Sequence, residues 1–126
     1  MRVLLDTVTF LWAVSSPERL SRKAMSALTR SSTVPEISVI SLSEIAIKQT
    51  RGKLTFGRRD VSQGIADLRL RVLPYGNEHS MALFDLPVHH ADPFDRQIIA
   101  QALAEQIAVV TSDSAFKLYE GLDVIW

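Results

Sequence analysis

Four acidic side chains, Asp6, Glu44, Asp95 and Asp113, are the best suited to chemistry in this sequence. Each falls where an apolar strand gives way to a helix. In a parallel α/β sheet such junctions lie on one edge, outside the carboxyl ends of the strands, so residues dispersed along the chain converge there. Carboxylates brought together repel one another, and isolated burial of each is costly. A hard divalent cation relieves both effects, because Mg²⁺ and Mn²⁺ prefer oxygen ligands. The pattern implies a metal-dependent enzyme acting on phosphate esters.

Each acid also has a local explanation. Asp6 suits the N-cap of a helix from Thr7. Ser41-Leu42-Ser43-Glu44 matches a capping box, in which Glu44 reaches back to a backbone N–H. Asp95 lies third in a helix that Asp92 caps, where the helix dipole favours an acid. Asp113 suits the cap of the short helix after it. Thr111 and Ser112 are expected to orient carboxylates or waters around the site. Between Lys48 and Arg59 the chain carries Lys48, Arg51, Lys53, Arg58 and Arg59 without an acid. That stretch is either a solvated helix end or a patch that tracks phosphates beside the pocket, with Lys48, Arg51 and Lys53 the candidate phosphate contacts.

The elements that must position these residues follow from pattern. Arg2–Leu5 reads as a buried strand and Thr7–Val14 as a mostly apolar helix. Ser16-Pro17-Glu18 resembles a helix start, and a further helix spans roughly Ser21–Arg30. Ile37–Ile40 is the second strand candidate. Ser41 is expected to cap a helix running to about Thr50, closed by Arg51-Gly52-Lys53 with glycine in the left-handed position. Asp60 is expected to cap Val61–Leu70, followed by a weak strand at Arg71–Pro74, and Asn77 a helix from Glu78 to about Phe84. After the loop LPVHHADP, Asp92-Pro93 opens the clearest helix, Phe94–Gln106. Ile107–Thr111 is a strand, Ser114–Tyr119 a short helix and Asp123–Ile125 a last strand. Alternating strands and helices imply an α/β fold, a central, mostly parallel sheet sandwiched by helices.

At 126 residues the chain is expected to form one domain over 1–126. It has no cysteine, which excludes disulfides, thiolate metal sites and cysteine nucleophiles, and agrees with a reducing cytoplasm. Asp6 interrupts the apolar N-terminal run, so neither a signal peptide nor a membrane span is expected. Net charge is zero, without the global basic balance of many nucleic-acid binders. The adjacent His89 and His90 diverge and form no spaced chelate; both are expected to be satisfied loop histidines. His79 is expected on a helix surface. No glycine-rich phosphate loop, nucleophile elbow or zinc spacing is present.

LLDT with Leu11-Trp12, ISLSEIAIK followed by GKL, LPVHHADPFDRQIIAQAL and VVTSDSAF resemble, nearly end to end, the four acidic segments of PIN-domain proteins of the VapC toxin type. DPFDR with a downstream TxD is the most specific pairing. The resemblance implies a PIN-like three-layer α/β/α fold and a Mg²⁺- or Mn²⁺-dependent endoribonuclease with Asp6, Glu44, Asp95 and Asp113 as its acidic quartet. It implies Asp6 and Asp95 as principal metal ligands, Glu44 and Asp113 completing the site directly or through water, and products with 5′-phosphate and 3′-hydroxyl ends. A VapB-like antitoxin and a second copy of the chain are the implied partners. The sequence departs from the family pattern at Val8, Ser43 and Ser112, none of which removes a carboxylate. A receiver-like signalling domain would need an acidic neighbour for Asp6 and an aspartate at the end of Val72-Leu73-Pro74; both are absent. A phosphatase with an Asp-x-Asp pair fails at Val8. A non-catalytic PIN scaffold that binds RNA or a protein is the remaining alternative.

Overall fold

The computed structural model describes residues 1–126. Its sheet has five strands, β1 (Arg2–Leu5), β2 (Val34–Ser38), β3 (Arg71–Leu73), β4 (Ala108–Val110) and β5 (Val124–Ile125), in the order β3-β2-β1-β4-β5. Every pairing is parallel. The connections carry helices α1 (Thr7–Ser15), α2 (Arg22–Thr29), α3 (Val39–Thr50), α4 (Arg58–Asp67), α5 (Asn77–Ala82) and α6 (Pro93–Glu105). Short 3₁₀ turns cover Pro17–Arg19, Leu83–Asp85 and Ser114–Leu118.

Period-two alternation divides the core between the two faces of the sheet. Leu4 and Val109 pack with Ile98, Ile99, Phe116 and Tyr119 on the α6 side. Leu5 and Ile37 pack with Phe10, Ile45 and Leu70, and Val3 and Val110 with Ala24. Helix α4 approaches α1 so closely that a Cβ on Gly64 would stand 2.7 Å from a Val14 methyl. No helix is long and apolar enough to cross a membrane.

The structure moves several expected boundaries. β2 runs Val34–Ser38, not Ile37–Ile40. The proline at 35 is tolerated because β3 pairs only from Glu36 onward, so Pro35 faces a single neighbouring strand. Ser38, not Ser41, caps α3, its hydroxyl accepting the Ile40 N–H at 3.0 Å. Asp60 is the third residue of α4 and accepts the Gly57 N–H at 2.9 Å. Gly52 holds the expected left-handed conformation after α3, with φ 72°.

The strand order reverses between β1 and β4, so chains leaving these neighbours part to opposite sides and open a crevice. Leu5 pairs Val110, and the Asp6 N–H extends the ladder to the Val110 carbonyl at 3.2 Å. That register seats Asp6 beside Thr111 at the crevice.

Candidate active site

Asp6 is buried at the mouth of β1. Its Oδ1 caps α1 by accepting the Thr9 N–H at 2.8 Å, and its Oδ2 accepts the Thr111 hydroxyl at 2.6 Å. The Asp113 N–H in turn donates to Thr111 Oγ1 at 3.0 Å. Asp113 is exposed and caps the Ser114–Leu118 turn with Oδ1, leaving Oδ2 unengaged by the protein. The local capping explanation thus holds for one oxygen of each of these two residues.

It does not hold for Glu44. α3 begins at Val39, which puts Glu44 in the helix interior, buried, with no backbone partner. Its Oε1 accepts the Thr7 hydroxyl at 2.7 Å and its Oε2 binds Lys48 Nζ at 2.5 Å. Ser41, the expected cap, lies buried in the same helix, 2.9 Å from Thr7 Oγ1. Asp95 occupies the predicted third position of α6. Asp92 caps that helix, its Oδ1 accepting the Phe94 and Asp95 N–H groups at 2.9 and 3.0 Å. The Asp95 carboxylate accepts no protein hydrogen bond.

The four acids share one electrostatic environment. The Asp95 carboxyl is pushed up to about 7 by burial first, then by the charges of Asp92, Asp6, Glu44 and Asp113. The Asp6 carboxyl is also raised, by burial first and to a lesser extent by Asp113, against the lowering effect of its Thr111 and Thr9 hydrogen bonds. Lys48 is raised by its bond to Glu44 and lies within the field of Asp92 and Asp95. The chain therefore gathers excess negative charge at the crevice with one lysine to offset it. Thr111 donates to Asp6, whereas Ser112 is exposed and bonds none of the acids. Lys48 faces the pocket; Arg51 and Lys53 are exposed beyond it.

The donor set fits a hard cation. It is all oxygen, partly desolvated, and one carboxylate is left without a protein donor. Stability carries the mark of this arrangement. Burial and the neighbouring charges keep Asp95 protonated up to about pH 7 in the folded metal-free protein, whereas the unfolded chain releases that proton at the ordinary carboxyl value of 3.8. Between these limits the folded state binds more protons, so stability falls as pH rises. Glu105, lowered by its bond to His79, acts in the opposite sense: its contribution is present above the ordinary glutamate value of 4.5 and is lost on acidification. In urea titrations the midpoint of the metal-free protein is expected to fall between pH 5 and pH 8. Saturating Mn²⁺ at pH 8 should restore it, and Asp95→Asn should flatten the fall.

A tighter cluster lies elsewhere. Glu78, His79 and Glu105 place their ligand atoms within 4.8 Å of one another. His79, expected on a helix surface, is only 3% exposed. Its Nδ1 accepts the Gly76 N–H at 2.8 Å, which leaves the ring proton on Nε2, 3.0 Å from Glu105 Oε2. A metal would need the Nε2 lone pair and would drive the proton onto Nδ1 against the backbone N–H. The trio is a structural anchor: Glu105 also accepts from Arg2 at 3.1 Å, and Arg2 in turn pairs with Glu36 at 2.5 Å. The signal for it in the sequence was the spacing Gly76-x-x-His79, a ring nitrogen in the place of a capping-box carboxylate.

These features define an α/β protein with a carboxylate pocket at the switch point of a parallel sheet. The PIN domain family model matches residues 3–122, and the chain belongs to the PIN domain family. No curated protein matches the chain. Among solved structures, VapBC2 from Rickettsia felis bound to a DNA fragment from its promoter is 20% identical with a TM-score of 0.75, covering 98% of this chain and 97% of its own. DNA-bound VapBC from Salmonella typhimurium is 20% identical with a TM-score of 0.70, covering 98% and 96%. VapBC-5 from Mycobacterium tuberculosis is 17% identical with a TM-score of 0.63, covering 98% and 97%. At these identities the likeness carries the fold.

Proposed function

We propose that the chain is a Mg²⁺- or Mn²⁺-dependent endoribonuclease, the toxin of a VapBC-type toxin–antitoxin pair. The observation that carries this reading is the coupling of Asp95 to Asp6, Glu44 and Asp113, contributed by separate elements of a PIN domain. Asp6 and Asp95 hold the divalent cation, with Glu44 and Asp113 direct or through water. A cation so held supplies an activated water and neutralises charge on the phosphoryl oxygens of an RNA phosphodiester. The protein's own part is positional. Thr111 fixes one Asp6 oxygen, Thr7 and Lys48 fix both Glu44 oxygens, and Asp113 keeps one oxygen open to solvent. Asp113 is accordingly better placed than Glu44 to take a proton from water.

Lys48 faces the pocket, and the exposed Arg51 and Lys53 that follow it in the chain extend a basic stretch that supplies phosphate contacts. A VapB-like antitoxin fits the same reading, since the structural neighbours are VapBC complexes and an uncompensated acidic pocket favours a cationic side chain. Homodimerisation is supported by exposed Phe84, Val88 and Leu118 near an apolar cleft of about 500 Å³ lined by Ala82, Leu86, Ala100 and Tyr119.

The test is an RNA-end map of purified protein with Mn²⁺. Cleavage should yield 5′-phosphate and 3′-hydroxyl ends. Asp6→Asn, which keeps the capping oxygen, should reduce it at least ~100-fold, beyond the loss expected for an outer partner of a metal ligand. A folded wild type that neither binds Mn²⁺ nor cuts RNA would leave a non-catalytic scaffold.

A further inference from the structure

His90 was expected to be an ordinary loop histidine, and its surroundings are not ordinary. Its side chain is 17% exposed, and its Nε2 is fully shielded from solvent and without a hydrogen-bond partner. That nitrogen points at Asp95 Oδ2 from 3.6 Å, just beyond bonding distance. Asp95, in turn, is the one acid of the quartet whose carboxylate accepts nothing from the protein.

The position of the ring proton follows from its neighbours. Arg96 is donor only. Its Nη1 donates to the Pro87 carbonyl at 2.8 Å and to the Tyr119 hydroxyl at 3.2 Å, and its Nη2 to the Leu86 carbonyl at 3.3 Å. The Tyr119 oxygen is therefore an acceptor from Arg96, and its single proton is directed to His90 Nδ1 at 2.8 Å. With Nδ1 accepting, the neutral ring carries its proton on Nε2, the atom that faces Asp95. Phe116 and Tyr119 pack against the ring and limit its rotation. The result is a chain from Arg96 through Tyr119 and His90 that ends in a shielded N–H opposite an unpaired carboxylate.

We propose that His90 is a positioning residue for Asp95, presenting Nε2–H to Oδ2 so that the other oxygen is committed to the pocket. This rests on the reading of Asp95 as a metal ligand. A small torsional adjustment of Asp95 closes the remaining gap when its carboxylate is engaged, as hydrogen bonds at such sites tighten on loading. Outer partners of this kind set the orientation of metal-binding side chains and typically change metal affinity by roughly 10–100-fold. Arg96 and Tyr119 act one step further back, by selecting the tautomer.

Two measurements test it. Long-range ¹H–¹⁵N NMR of the metal-free protein should find the His90 proton on Nε2, and Tyr119→Phe should shift it toward Nδ1. A wild-type ring protonated on Nδ1 alone would overturn the proposal. Calorimetric titration with Mn²⁺ should show His90→Ala weakened by about 10–100-fold. His90→Gln, whose amide can donate from a similar position, should recover most of that loss, with circular dichroism confirming that both variants are folded. Wild-type Mn²⁺ affinity in folded His90→Ala would overturn the role. Failure of the wild type itself to bind Mn²⁺ would instead remove the metal reading of Asp95, and this proposal with it.

Discussion

On the proposed function, Asp95→Asn will sharply reduce RNA cleavage while stabilising the metal-free protein. The amide cannot serve as an anionic ligand, so RNA cleavage should fall at least ~100-fold, above the effect of losing an outer partner. The same change removes a desolvated charge that Asp92, Asp6, Glu44 and Asp113 all oppose. Above pH 7 the melting temperature should rise, by roughly 3–6 °C for each ~1 kcal/mol relieved in a domain of this size. The opposed signs make the experiment informative. A residue kept only for its place in the first turn of α6 would lose stability on neutralisation, because an acid there is favoured by the helix dipole. Unchanged cleavage in a folded variant would remove Asp95 from the chemistry, and a lowered melting temperature would mark it as structural.

Arg2→Met should be the most destabilising single change at a polar position. Glu36 lies on β2 between β1 and β3, and its side chain is 0% exposed. Arg2 binds it through Nε at 2.5 Å and Nη2 at 3.1 Å, and also reaches Glu105. Without the guanidinium a carboxylate remains in the interior with no cation, which typically costs about 3–5 kcal/mol. The double variant Arg2→Met with Glu36→Leu should recover most of the loss, since an apolar pair of similar volume often matches a buried ion pair. Urea unfolding of the two single variants and the double one closes the cycle. Additive losses would show that the two charges do not depend on each other.

The same ion pair explains what could be read in the sequence and what could not. β1, α1 and α6 were legible because apolar runs, a capping aspartate and an Asp-Pro start all act within a few residues. β2 was displaced because its first half contains Pro35 and Glu36, which contradict a buried strand until Arg2 and the late start of β3 are known. The capping-box explanation of Glu44 depended on a helix start at Ser41 that the earlier end of β2 moved to Val39. Thr111 was expected beside the carboxylates, and its hydroxyl donates to Asp6. The hydrogen bonds of Thr7, His79 and His90 were not foreseen, because their partners lie 37, 26 and 29 positions away and no local pattern encodes them.

The Thr111–Asp6 bond joins residues 105 positions apart. Asp6 directly follows β1, yet the strand that leads to Thr111 is β4, and a parallel sheet has no hairpin through which neighbours could pair early. During synthesis β1 must wait, unpaired on that side, until β4 has left the ribosome. A nascent or truncated polypeptide that stops short of β4 contains three of the four acids without the scaffold that brings them together. The pocket can therefore be assembled only once β4 has been made and has joined β1.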